Sequence, residues 1–91
     1  MNIKVIKLGG SSLSNDENLK SAAQKTINFL EQGQKVVVIL SAQGKTTDNL
    51  LLQAKNLSKN PNKRELDMLV SVGEQISISK FAIFLNELGY T

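Results

Sequence analysis

The sequence predicts an α/β fold of short parallel strands with helices packed around them, and three observations carry that expectation. A short β-branched run, Ile3–Leu8, and a continuous apolar run, Val36–Leu40, flank a stretch of helical periodicity. Each run is followed at once by turn-forming residues, Gly9-Gly10-Ser11-Ser12 and Ser41-Ala42-Gln43-Gly44. A strand, helix, strand unit with connections this short closes as a right-handed crossover, which brings both turns side by side at the carboxyl edge of the strands. Ligands of open α/β sheets bind at that edge.

Ile3-Lys4-Val5-Ile6-Lys7-Leu8 is rich in aliphatic, largely β-branched residues and reads as the first strand. Ser14-Asn15-Asp16-Glu17 fits a capping box, and Leu19, Ala22, Ala23, Thr26, Ile27 and Leu30 then recur at helical spacing until Gly33 supplies a stop. Val36-Val37-Val38-Ile39-Leu40 lacks the alternation of a half-exposed strand and predicts a central parallel strand. From Thr47 the pattern is helical again through Leu50, Leu51, Ala54 and Leu57, with Thr47 or Asp48 as the cap, and it breaks at Asn60-Pro61-Asn62. It resumes through Leu66, Leu69 and Val70 to a stop at Gly73. A last helix is expected from about Glu74 to a cap at Gly89, its apolar positions covering more than one face, as in a helix buried between a sheet and another layer.

Ninety-one residues allow one small domain and exclude a second. Hydrophobic residues at 41% and charged residues at 21% describe an ordinary folding chain rather than a disordered or fibrous one. No consecutive apolar run has the length of a membrane span and no signal core opens the sequence, so a cytoplasmic location without a membrane partner is expected. The absence of Cys and His removes thiolate and imidazole chemistry together. Carboxylates, hydroxyls, lysines and backbone amides are what remain. The net charge of +3 is spread along the chain, and the four aromatics (Phe29, Phe81, Phe84, Tyr90) sit in helix-like or terminal contexts. No nucleic-acid partner is expected from that pattern.

Gly44-Lys45-Thr46 has the tail of a P-loop, but the glycine that motif needs five positions earlier is Ile39. Gly9-Gly10 lacks the spaced glycines of a dinucleotide fingerprint. Lys7-Leu8-Gly9-Gly10-Ser11-Ser12 can be a surface lysine beside a flexible turn. It can equally be an anion cradle, in which the glycines let backbone N–H groups approach a phosphate and Lys7 adds a point charge. Ser41 to Asp48 can be a polar turn, a ligand site with room beside Ser41 and Ala42, or both. Glu74 at a helix start would be stabilised by the dipole whatever its function. Glu65 and Asp67 read as a solvated face, and Ser71, Ser77 and Ser79 as helix residues with no partner to activate them.

Taken together these segments resemble aspartokinase, the aspartate kinase branch of the amino-acid kinase superfamily. The family's K-F-G-G-T-S corresponds to Lys7-Leu8-Gly9-Gly10-Ser11-Ser12. Its V-V-S-A-M-G-K-T-T-D-like loop corresponds to Ile39 through Asp48, and its R-E-x-D-x-L-x-x-x-G-E-Q-x-S block to Arg64 through Ser77. The resemblance covers nearly the whole chain, with Leu8 for Phe, Ser11 for Thr and Gln43 for Met as small departures. It implies an amino-acid kinase (carbamate kinase-like) fold, of which residues 1–91 form a truncated N-terminal part of the catalytic domain without the ATP-binding second half or the ACT domains.

The resemblance further implies ATP-dependent phosphorylation of the side-chain carboxylate of L-aspartate, with ATP and Mg2+ as cofactors. Lys7 matches the catalytic lysine, and Lys7, Leu8, Gly9 and Gly10 match the phosphate-holding positions. Ser41, Ala42 and Thr47 match the aspartate pocket, and Glu74 the carboxylate that pairs with the substrate's α-ammonium group. The 91-residue chain alone is expected to be inactive. Two alternatives stand beside this reading: a non-catalytic remnant that self-associates through an edge strand and the last helix as a homo-oligomer, and another amino-acid kinase, such as one acting on glutamate.

Overall fold

The computed structural model describes residues 3–90. β1 (Ile3–Leu8) leads through a short 3-10 turn at Ser11–Leu13 into α1 (Asp16–Glu31), then β2 (Lys35–Leu40), α2 (Thr46–Leu57) and α3 (Lys63–Glu87). β1 and β2 pair in parallel, in register from Ile3 opposite Lys35 to Leu8 opposite Leu40. The α/β expectation, the parallel pairing and the α1 crossover between the strands are therefore met.

α1 is capped by Asn15 rather than Ser14. Asn15 takes the extended conformation a cap requires, and its side chain accepts a hydrogen bond from the Asn18 amide at 2.8 Å, whereas Ser14 continues the preceding turn in the helical region. The helix ends as the sequence predicts. Gly33 adopts φ 81°, its amide donates to the Leu30 carbonyl, and the Gln34 amide donates to that of Phe29. The same paired bonds close α3, where Gly89 at φ 94° donates to Asn86 and Tyr90 to Leu85.

β2 differs from its prediction. Among the described residues it pairs only with β1, and one face of this two-stranded sheet is covered. Leu8, Val38 and Leu40 pack with Leu13, Leu19, Ala22, Ala23 and Phe81, while Ile3, Val5, Val37 and Ile39 on the other face are half exposed or more. A continuous apolar run thus marks a strand whose two faces can both be covered, although α1 and α3 supply only one layer here.

The loop before α2 also departs from expectation. Lys45, not Thr47 or Asp48, occupies the cap position, without a side-chain cap bond, because the turn from Gln43 to Thr46 already starts the helix through its backbone. The break at Asn60-Pro61-Asn62 is where the sequence puts it, and Asn62 caps α3 by accepting from the Arg64 and Glu65 amides at 3.0 and 3.2 Å.

The largest correction concerns Gly73. It does not end a helix: α3 runs unbroken for 25 residues. Gly73 is buried in mid-helix, where a Cβ would stand 2.9 Å from the Ala42 Cβ and 3.1 Å from Thr46 Cγ2. A glycine serving close approach and a glycine serving termination look alike in sequence.

By length and composition α3 is also apolar enough to cross a membrane. Its buried residues Gly73, Ser77 and Phe81 pack it against the rest of this fold. Its outward face leaves Ile76, Ile78 and Ile83 exposed, so the burial expected on more than one face is met on one only.

Candidate functional site

The two turns at the carboxyl edge of the sheet are stitched together by the backbone. The Ser41 amide and hydroxyl both donate to the Leu8 carbonyl, at 3.1 and 3.3 Å, and the Gly44 amide donates to the Gly10 carbonyl at 3.3 Å. A Cβ on Gly10 would lie 3.5 Å from the Gly44 carbonyl oxygen, an ordinary contact distance, so what position 10 contributes to this approach is its backbone carbonyl. Gly9 faces open space, where a ligand can come close to its backbone.

Lys7, Leu8, Gly9, Ile39, Leu40, Ser41 and Glu74 line one cleft of about 280 Å3 beside these turns. Strand alternation puts Lys7 on the uncovered sheet face, and α3 brings Glu74 to the same cleft. The site therefore joins a cation, a carboxylate, a hydroxyl with free lone pairs and an approachable glycine backbone. That set can hold a polar molecule carrying both an anionic and a cationic end.

Five of the eight residues singled out from the sequence meet in this cleft: Lys7, Leu8, Gly9, Ser41 and Glu74. Gly10, Ala42 and Thr47 do not line it. Gly10 holds the loops together, Ala42 is buried under Gly73, and Thr47 lies half-buried in the first turn of α2. Glu74 sits twelve residues into α3 by count from Lys63, so dipole stabilisation at a helix start does not apply to it.

A second cluster escaped the sequence reading. Lys80 of α3 forms an ion pair with Asp16 at the start of α1 and donates to Gln43 Oε1 at 2.8 Å, while Gln43 Nε2 lies 3.5 Å from the same Asp16 oxygen. The hydrogen bond from Lys80, then that from Gln43, holds the Asp16 carboxyl below its ordinary value of 3.8. These three residues border a more open, polar cleft of about 410 Å3 that also contains Gly44-Lys45-Thr46. Separations of 64 and 37 positions leave no periodic signal from which this cluster could be read. Among the described residues no group of three His, Cys, Asp or Glu side chains gathers to hold a metal ion.

Residues 2–91 match the Amino acid kinase family. The chain is 48% identical over 90 residues to an aspartokinase of Geobacillus stearothermophilus and 44% identical over 90 residues to aspartokinase 2 of Bacillus subtilis, each alignment covering 99% of this chain and 22% of the relative. The solved aspartate kinase of Synechocystis superposes with a TM-score of 0.93 at 40% identity, covering 96% of this chain and 15% of that one. The chain thus spans about a fifth of the length of the curated relatives it matches. The chain therefore belongs to the amino acid kinase family, with aspartokinases as its relatives.

Proposed function

We propose that this chain supplies the N-terminal part of an aspartokinase catalytic domain, acting in ATP-dependent phosphorylation of the side-chain carboxylate of L-aspartate to 4-phospho-L-aspartate. The observation that carries the reading is the meeting of Lys7, Gly9, Ser41 and Glu74 in one cleft at the carboxyl edge of two parallel strands. In this reading Lys7 and the Leu8-Gly9-Gly10 backbone hold the phosphates, and Lys7 offsets the charge that develops on the transferring group. Glu74 receives the α-ammonium group, and Ser41, Ala42 and Thr47 shape the aspartate side of the pocket.

The chemistry suits the residues present. A carboxylate oxygen of aspartate attacks the γ-phosphorus, the bond to the β–γ bridging oxygen breaks, and ADP leaves with that electron pair. A carboxylate is already deprotonated near neutral pH, so the reaction needs alignment and charge neutralisation rather than a His or Cys. Mg2+ arrives with the ATP phosphates, whose oxygens are its usual ligands, and neutralises their charge.

The 91 residues alone are expected not to turn over, since they span a fifth of the relatives' length and alignment needs both substrates held. A cytoplasmic setting, with no nucleic-acid or membrane partner, goes with this reading. Calorimetric titration with aspartate, glutamate and Mg-ATP tests it. Saturable heat from aspartate that Glu74→Gln removes supports the assignment; an equal or stronger response to glutamate transfers it to another amino-acid kinase, and silence from all three ligands removes it from the isolated chain.

A second reading is favoured by the uncovered apolar face formed by Ile3, Val5, Val37 and Ile39. On this view the chain is a self-associating module without catalysis. Light scattering after size exclusion decides it, a monomer at all concentrations being the contrary result.

A further inference from the structure

We infer that Lys80 is a positioning residue, which through Gln43 and Asp16 clamps the Ser41–Thr47 segment against α3 and so fixes Ser41 relative to Glu74 across the cleft. Its bearing on ligand binding rests on the aspartokinase reading; the clamp itself does not.

Gly73 meets Ala42 and Thr46, which holds the loop to α3 at one place, while Ser41 and Gly44 tie its other side to Leu8 and Gly10; a single place on the helix still allows a pivot there. Lys80, seven residues and about 10 Å further along the helix axis, supplies a second place by donating to Gln43 Oε1. Two separated contacts remove the pivot. Asp16 completes the clamp from α1: it pairs with the Lys80 ammonium and lies near the Gln43 amide, so the lysine and the amide are each held from a third element. Glu74 and Lys80 belong to one rigid helix, so whatever holds the loop to Lys80 also sets the distance from Ser41 to Glu74. Gln43 is the position at which this sequence departs from the methionine of the aspartokinase pattern, and an amide there provides the acceptor that a thioether offers only weakly.

The test uses the full 91-residue chain and amide hydrogen exchange by NMR. The Ser41, Gly44 and Thr46 amides, bonded to Leu8, Gly10 and Gln43 carbonyls, report the loop, and the β1–β2 ladder amides report the rest. Lys80→Met and Gln43→Met are each expected to speed exchange at the loop amides about three- to fivefold, the effect of one charge-assisted contact at a partly exposed site, with the ladder unchanged. Lys80→Arg should stay near wild type. Unchanged loop exchange in either methionine variant, equal acceleration of loop and ladder, or Lys80→Arg behaving as Lys80→Met would each overturn the clamp.

Aspartate-induced shift changes give the separate arm. If the wild type shows none, the aspartokinase assignment of the cleft fails while exchange still judges the clamp. If it binds, Lys80→Met should weaken binding by a similar factor, and undiminished affinity would refute the link to the site.

Discussion

Gly73 and Ala42 touch so closely that a methyl group on the glycine would lie 2.9 Å from the Ala42 Cβ. Contacts of that length do not persist, so one partner must move. Gly73→Ala gains up to ~1 kcal/mol of helix propensity but forces α3 away from the loop, an overpacking that costs about 1–3 kcal/mol. A net loss of about 1 kcal/mol is expected in urea denaturation. The exposed neighbour Glu74→Ala should stay within about 0.5 kcal/mol of wild type, so a similar loss there would deny the close contact its special cost.

Leu13 is fully buried at the joint of the 3-10 turn with Leu19, Ala23 and Phe81. Leu13→Ala is expected to remove about 2–5 kcal/mol, a large share of the ~5–15 kcal/mol that small domains possess. Circular dichroism on heating checks this: a midpoint within a degree or two of wild type would contradict the placement.

Acid should weaken the fold through Asp16. Its folded-state carboxyl titrates below the ordinary value of 3.8, with the Lys80 hydrogen bond as the main cause. A depressed carboxyl contributes stability that is present above the unfolded value and lost as pH falls through the folded one. The thermal midpoint of Asp16→Asn should therefore lie below wild type above pH ~4 and converge with it in stronger acid. Parallel curves throughout would show that the ion pair contributes nothing.

Tyr90 gives the opposite limb. Its hydroxyl donates to Glu31 Oε1 at 2.6 Å, and that bond raises the phenol above 10.0. The neutral phenol is the favoured form, so the contribution is present below the unfolded value and lost as pH rises through the folded one. Ultraviolet titration of the single tyrosine should show a midpoint above 10.0 that returns toward it in Glu31→Gln.

Lys7→Met tests the phosphate side of the cleft. The lysine is exposed and lines the cleft, so its removal should leave the thermal midpoint nearly unchanged while weakening Mg-ATP binding about tenfold. Equal affinity in the two proteins would take Lys7 out of the phosphate cradle.

The strands, α1 and the break at Pro61 were legible because each depends on neighbours in sequence: aliphatic runs, a 3.6-residue period, Gly33 and Asn62 at helix ends. Gly73 was not, because its role lies in the distance to Ala42, 31 positions away by subtraction of residue numbers. The mistaken stop at Gly73 carried Glu74 with it, turning a mid-helix carboxylate into a helix-start one. Five of the eight site residues converged because turns at the ends of parallel strands must meet at one edge. Ala42 fell outside the cleft because a small residue suits a tight helix contact as well as it suits a ligand. Asp16, Gln43 and Lys80 lie on three elements, and no local pattern connects them.

The double hydrogen bond from Ser41 to Leu8 spans 33 positions, and the cleft around it also needs Glu74 from a third element. The α2–α3 pair, by contrast, is formed by helices adjacent in sequence. Closing long loops costs chain entropy before any contact rewards it, so the helical pair can form early and the cleft belongs to the closing stage of folding. A ligand held by groups that assemble after the rate-limiting barrier leaves the rate of folding untouched and lowers the rate of unfolding. For this chain, whatever fills the cleft acts as a brake on loss of structure rather than as a template for gaining it.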